Sequence, residues 1–365
     1  MSPNRSNVLV RLVVSSSALA LFPAAIFAQQ TSAATDARRW EIEVHGGFGG
    51  STSPRNGSGE LPPREGTFPL PITPRSSLIL PSWFIGLGPD VLNTGAGAER
   101  MHGIDAALST VGADWGRGGA FGARFAGHLT PSITAEFSFD YLPGPLQHTS
   151  DALAPLRQAE QTFPVAFAAL FAREPAAFVN PSASASLTLG DDGGGQVVTT
   201  GTLNLNLGSG SIIRPYLTAG GGVVAYRGGT ATATLVGQYS FTGLDVFPIT
   251  QTDTVVVRYR PGDASFAPVF GGGVRVDRGG WGVRADVRAL VVKDTRSVSV
   301  DAAPVTTPGS PTGFVVGDVV RFISFSTDPG ALRSTLSGSL DDVETFGASG
   351  RRVQTSITFG VFRRF

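Results

Sequence analysis

Residues 281–291 read Trp281-Gly282-Val283-Arg284-Ala285-Asp286-Val287-Arg288-Ala289-Leu290-Val291. Every odd position carries an apolar side chain, while Arg284, Asp286 and Arg288 stand on even ones. Successive side chains of a strand point to opposite faces, so the stretch predicts a strand with one apolar face and one ionised face. A lipid-exposed barrel strand needs about 9 to 11 residues of this kind, and residues 281–291 supply them.

Seven further stretches share the split. Residues 40–48 set Trp40, Ile42, Val44, Gly46 and Phe48 against Glu41, Glu43, His45 and Gly47; residues 121–129 set Phe121, Ala123, Phe125, Gly127 and Leu129 against Arg124 and His128. In residues 133–141, Ile133, Ala135, Phe137, Phe139 and Tyr141 alternate with Thr134, Glu136, Ser138 and Asp140. Gly201, Leu203, Leu205 and Leu207 alternate with Thr202, Asn204 and Asn206, and Ile213, Leu217, Ala219 and Val223 with Arg214, Tyr216 and Thr218. Phe270, Val274 and Val276 flank Arg275, and the final stretch sets Val353, Thr355, Ile357, Phe359, Val361 and Phe365 against Gln354, Ser356, Thr358, Gly360 and Arg364. A soluble sandwich alternates too. The connections separate the two architectures, because residues 130–132, 208–212 and 277–280 are short links while those between them run to several tens of residues. Short turns at one end and long loops at the other mark an outer-membrane barrel. The expected fold is therefore an all-β, antiparallel, up-and-down transmembrane barrel of eight strands, with short periplasmic turns and long extracellular loops at about 49–118, 142–196, 227–265 and 293–351. Residues 231–241 and 252–260 also alternate. They predict either two further barrel strands, making ten, or a hairpin extending strands five and six above the membrane; Gly228-Gly229 permits a bend or a continuation, and Pro248 and Asp253 in a would-be periplasmic turn that is long for that side favour the hairpin.

Composition agrees with export and a membrane. The 365 residues hold 28 Lys plus Arg, 28 Asp plus Glu, 48 Gly and no Cys, and only 15% are charged, against about 25% in a soluble domain. A nucleic-acid partner is not expected without a basic excess, and the lack of Cys removes disulfides, thiolate metal sites and Cys nucleophiles. Arg5 and Arg11 precede an apolar run ending in Ile26-Phe27-Ala28, the pattern of a signal peptide over residues 1–28 with the barrel domain over 29–365. No later stretch approaches the roughly 18 apolar residues of a spanning helix, so any later span is a strand. Interface aromatics are expected at Trp40, Trp281 and Phe365 on the periplasmic side and at Phe48, Phe121 and Tyr141 on the outer side.

With the signal peptide, Arg214-Pro215-Tyr216-Leu217-Thr218-Ala219-Gly220-Gly221-Gly222-Val223, the 281–288 stretch and the terminal Phe365, the chain resembles the bacterial outer-membrane β-barrel family of small OmpA-like and OmpX-like barrels. The resemblance implies that Phe359, Val361 and Phe365 form the signal read by the barrel assembly machinery, with periplasmic chaperones as further partners in biogenesis. Arg363 departs from that pattern, and near the interface it would snorkel.

The register sends Glu41, Glu43, Glu136, Asp140 and Asp286 inward together with Arg124, Arg214, Arg275, Arg284, Arg288 and Arg364, besides His45 and His128. An eight-stranded barrel is just filled by its own side chains, so these charges predict a salt-bridged plug, with a narrow solute channel as the alternative. Gly220, Gly222, Gly271 and Gly273 are expected to leave room for the arginines. His45 or His128 beside Glu43, Glu136 or Ser138 would be the basis of an outer-membrane hydrolase, but no motif fixes such a site, and no enzyme activity, cofactor or metal is expected. Asp191-Asp192-Gly193-Gly194-Gly195 reads as a loop tip rather than a calcium loop. Residues 77–88, with Trp83, Phe84 and Ile85, and the helically spaced Leu153, Leu156, Phe163, Phe167 and Leu170 predict either a cap packed over the barrel mouth or an exposed patch for a surface ligand that remains unnamed. The expected role is envelope-structural or surface-binding, as a monomer in outer-membrane lipid.

Overall fold

A computed structural model describes residues 39–52, 55–59, 82–96, 99–173, 175–176, 178–207, 212–243, 247–278, 280–308 and 344–365. The segment read as a signal peptide, residues 77–81 and the alternating stretch 314–325 lie outside them.

Eight strands close into a ring: β1 (Trp40–Ser51), β4 (Gly118–His128), β5 (Ile133–Pro143), β8 (Gly195–Asn206), β9 (Ile213–Arg227), β12 (Ala264–Arg278), β13 (Trp281–Pro308) and β14 (Glu344–Arg364). Each ring strand pairs antiparallel with the next in chain order. The ladder from Glu41↔Arg364 to Ser51↔Gln354 joins last to first, and Trp40 and Phe365 exchange backbone hydrogen bonds at its end. The all-β barrel is thus an up-and-down ring of eight, and the ten-strand alternative is excluded.

Closure follows from the alternation. Ile42, Val44, Phe137, Leu205, Val283, Val287, Ile357 and Phe359 are exposed on the outer wall, and the residues between them are buried inside. With every ring strand paired on both sides, the ring backbone presents no free edge. Among the described residues no helix is long and apolar enough to cross a membrane. At one end the links are tight: Thr130 Oγ1 accepts from the amides of Ser132 and Ile133, and Gly280 takes φ +91° between β12 and β13.

The opposite end carries a second structure. The stretches expected as loops contain β2 (Arg55–Gly59), β3 (Ala113–Trp115), β6 (Leu146–His148), β7 (Phe178–Asp191), β10 (Ala231–Gly243) and β11 (Phe247–Pro261), with helices α1 (Leu87–Ala96), α2 (Asp105–Leu108) and α3 (Ser150–Arg173). β13 continues past the ring and pairs with β11 from Pro261↔Arg296 to Ile249↔Pro308; β10 and β7 follow in order. The 231–241 and 252–260 pair is therefore a hairpin beyond the ring, continuous with β9 and β12 but swung over to pair with β13. The swing starts at Gly228 and Gly229, at φ +62° and +86°, where a Cβ on Gly229 would lie 2.9 Å from the Trp115 ring.

α3 lies against this sheet. Thr149 caps it, its carbonyl accepting from Leu153 and its hydroxyl from Ala152. Ala152, Leu156, Ala159, Phe163, Ala166, Phe167, Leu170 and Phe171 form its buried stripe, and Leu153 is half-buried at the margin. The stripe meets Trp83, Phe84, Ile85, Leu92 and Ile104 on one side and Leu235, Tyr239, Val255, Val257 and Val300 on the other. Phe167 stacks on Tyr239 at 4.3 Å and Phe163 on Phe84 at 5.0 Å. The apolar loop residues that are described thus pack on one another, which is the first of the two alternatives read from the sequence.

Candidate functional site

Inward-facing positions of the ring bring together four carboxylates and four guanidinium groups. Glu41, Glu43, Glu136, Asp286, Arg124, Arg275, Arg284 and Arg288 are each at most 4% exposed. Glu41 accepts from Arg275 at 2.6 Å and also from Arg284, with Arg364 at 3.4 Å and His128 Nε2 at 3.4 Å. Arg284 spans the lumen: its three nitrogens face Glu41, Glu43 at 3.1 Å and Glu136 at 2.6 Å. Arg124 binds Glu43 at 2.9 Å and donates to Thr358 at 2.8 Å. Arg288 joins Glu136 to Asp286, which also accepts from the Tyr216 hydroxyl. Asn204 donates to Glu136 at 2.9 Å. Buried charge is tolerated where it is paired and hydrogen-bonded, and in this layer the signs cancel.

The remaining charged candidates sit toward the ends. Arg214 is a third exposed at the short-turn rim, 3.5 Å from Asp277, which also binds Arg364 at 2.9 Å and Arg275 at 3.3 Å. Asp140 accepts from His45 Nε2 and from Ser138 at 2.9 Å. Both histidines are therefore bound to lumen groups, His45 to Asp140 and His128 to Glu41 and to Thr134 at 3.0 Å. Serine and histidine do not meet: the Ser138 hydroxyl bonds Asp140 and Thr200.

One expectation is corrected. A Cβ on Gly220, Gly222, Gly271 or Gly273 would strike neighbouring strand backbone, threonines or the Tyr216 ring rather than an arginine head group. Space for the charged layer is made at Gly360, where a Cβ would lie 2.3 Å from Glu43, and at Gly122, where it would lie 2.8 Å from Asp140 and 2.9 Å from His45.

Two groups escaped the sequence reading. Phe362, 1% exposed, enters the lumen among the charges, and the Arg275 guanidinium lies 4.6 Å over its ring. Its signal was positional, since it shares the inward parity of Thr358, Gly360 and Arg364. Further along, Asp294, Arg296 and Arg352 form a second buried layer, Asp294 meeting Arg296 at 2.6 Å and Arg352 at 3.5 Å. Arg352 donates to Gln196 at 3.0 Å and to Tyr226 at 3.3 Å, and Tyr226 stacks on Trp115 of β3 at 5.7 Å. This layer joins the ring to the cap, aided by Ser51, which donates to Asp114 at 2.8 Å. Among the described residues no group of three or more His, Cys, Asp or Glu side chains is arranged to hold a metal ion.

On the outer wall Trp40, Trp281 and Phe365 are about half exposed at the short-turn end, and Phe48 and Phe121 are exposed at the other, where Tyr141 packs edge-on to Phe121. Phe359 and Val361 face outward on β14. The Arg363 guanidinium lies 5.4 Å over the Trp281 ring, so its charge is held at the rim by the aromatic girdle.

No protein-family model matches the chain, and no curated protein matches it. Solved structures similar to it include the outer membrane protease OmpT from Escherichia coli, at 9% identity over 92% of this chain and 99% of that one, with a TM-score of 0.25. They also include an outer membrane channel from Pseudomonas putida F1, at 11% identity over 92% and 100%, TM-score 0.22. The CymD monoaromatic hydrocarbon channel is similar at 10% identity over 90% and 89%, TM-score 0.19.

Proposed function

We propose that the chain is an exported outer-membrane protein whose barrel is a closed anchor and whose cap is displayed at the cell surface, in an envelope-structural or surface-binding role without enzyme activity. In this reading it is a small barrel of the OmpA-like kind, with its short turns in the periplasm and residues 1–28 removed on export. Phe359, Val361 and Phe365 serve as the assembly signal, and the two rows of aromatics mark the membrane interfaces.

The observation that carries the reading is the eight-charge lumen layer, neutral in sum and sealed from solvent. A solute path needs water-filled space, whereas here each guanidinium bridges strands on different sides of the ring. Arg284 on β13 reaches Glu41 on β1 and Glu136 on β5. The serine weighed for a hydrolytic site, Ser138, bonds Asp140 and Thr200 and neither histidine.

The test is single-channel recording on refolded mature protein, after an unboiled gel has shown the heat-sensitive mobility of a folded barrel. Silence is the expected result, with openings appearing in Arg284→Ala. Steady openings of the unmodified protein would establish a channel instead. Mass spectrometry of protein recovered from the outer membrane is expected to find Gln29 as its first residue.

A further inference from the structure

On the outer wall of the β13–β14 ladder, the side chains change abruptly from apolar to cationic. Val291↔Val353 is an exposed apolar pair, and the next pair outward on the same face is Lys293↔Arg351, both exposed. Arg55 on β2 stands in register with Arg351. Three cationic residues thus occupy neighbouring positions on three adjacent strands, a row of about 10 Å at ordinary strand spacing. Like charges placed directly opposite destabilise a sheet. No ion pair relieves Lys293 or Arg351 among the described residues, and the adjacent carboxylate Asp294 faces the lumen, committed to Arg296 and Arg352.

We propose that Lys293 and Arg351 clamp the phosphate headgroup of a membrane lipid whose acyl chains lie along Val291, Val353 and the apolar wall below. The inference rests on the membrane reading above. Charge complementarity selects the ligand: a phosphate supplies several acceptor oxygens, arginine binds them as a planar fork, and lysine adds a compact charge. Position selects the source, because the row begins one pair beyond the exposed apolar band, at the level where headgroups begin. The anion removes the repulsion that the bare row carries.

Lys293 is the only lysine in the sequence, which gives the proposal a direct probe. Folded protein would be placed in phosphatidylcholine vesicles with and without phosphatidic acid and treated with an amine-acetylating reagent. Acetylation of Lys293 is then measured by mass spectrometry against the N-terminal amine. Phosphatidic acid is expected to slow acetylation of Lys293 by about tenfold, the factor expected from roughly 1.4 kcal/mol of binding. Arg351→Ala is expected to restore the faster rate, and Arg363→Ala, at the other rim, to leave protection intact. Inorganic phosphate is expected to have no effect. Equal rates in both vesicles, protection that survives Arg351→Ala, or equal protection by inorganic phosphate would each overturn the clamp. Failure of the membrane reading shows separately, as protein that floats with neither vesicle.

Discussion

Arg284 and Asp253 show how differently a buried charge behaves in the two halves of this molecule. Arg284 faces three carboxylates, so removing it leaves Glu41, Glu43 and Glu136 short of positive charge. Breaking one member of such a network costs about 3–5 kcal/mol. Arg284→Met is expected to lower the urea midpoint of the mobility shift accordingly, while replacing Arg284 and Glu41 together by apolar residues costs less than the two single changes combined. Among the described residues no cation faces Asp253. Ser82 Oγ and the Trp83 amide donate to one of its oxygens at 2.6 and 2.7 Å, and its other oxygen has no hydrogen-bond partner among them. Burial in the apolar cap pushes its carboxyl up to about 6 against those two hydrogen bonds. The folded cap therefore holds a proton that the unfolded chain releases near pH 4. Its contribution is complete below about pH 4 and declines until pH passes 6, roughly 3 kcal/mol in all. His148, whose ring is held below its usual value by burial, slopes the other way. The difference between wild type and Asp253→Asn isolates the carboxyl: hydrogen exchange in α3, corrected for intrinsic rates, is expected to quicken between pH 4 and pH 7 in the wild type by more than in the variant.

At the scale of elements, the cap and the ring answer to separate contacts. Phe167 packs on Trp83, Phe163, Phe171 and Tyr239, and truncating it leaves a cavity costing about 3–5 kcal/mol. Phe167→Ala is expected to make α3 protease-sensitive while the heat-modifiable band of the barrel persists; loss of that band would show that the ring depends on the cap. Gly229→Ala, forced to a positive φ with its Cβ against Trp115, is expected to loosen the joint at the mouth by about 1–3 kcal/mol, read as faster exchange in β3 and β10. The eight ring strands were legible because each has an exposed apolar wall on one side and a buried polar lumen on the other, which writes a period of two into the sequence. The cap strands were less so. In β13 beyond the ring, Val298, Ser299 and Val300 are all buried, which erases the alternation. α3 advertised its stripe, yet Pro155 and Pro164 lie inside it, where proline usually marks an end. Most of the lumen charge layer was read from parity alone. Asp294, Arg296 and Arg352 were missed because the same strands were taken to stop at the membrane, and Phe362 because an inward aromatic breaks the polar-inside rule.

For the whole molecule, the charge distribution predicts an unusual indifference to salt. The principal ion pairs are sealed, and buried pairs are screened far less than surface ones. The midpoint of the heat-induced mobility shift is expected to stay nearly constant from low to high ionic strength; a large fall would place those pairs in contact with water. Structurally, β13 belongs to both halves. It pairs with β14 without interruption from Trp281↔Arg363 to Val300↔Glu344, and from Arg296 outward it also pairs with β11 of the cap sheet. A pull on the cap is therefore delivered along the axis of a strand rooted at the far rim, loading its hydrogen bonds in shear, all at once, instead of peeling them singly. The cap is in this sense less a lid on a hinge than the free end of a tether, and tension applied to it runs the length of the ring wall.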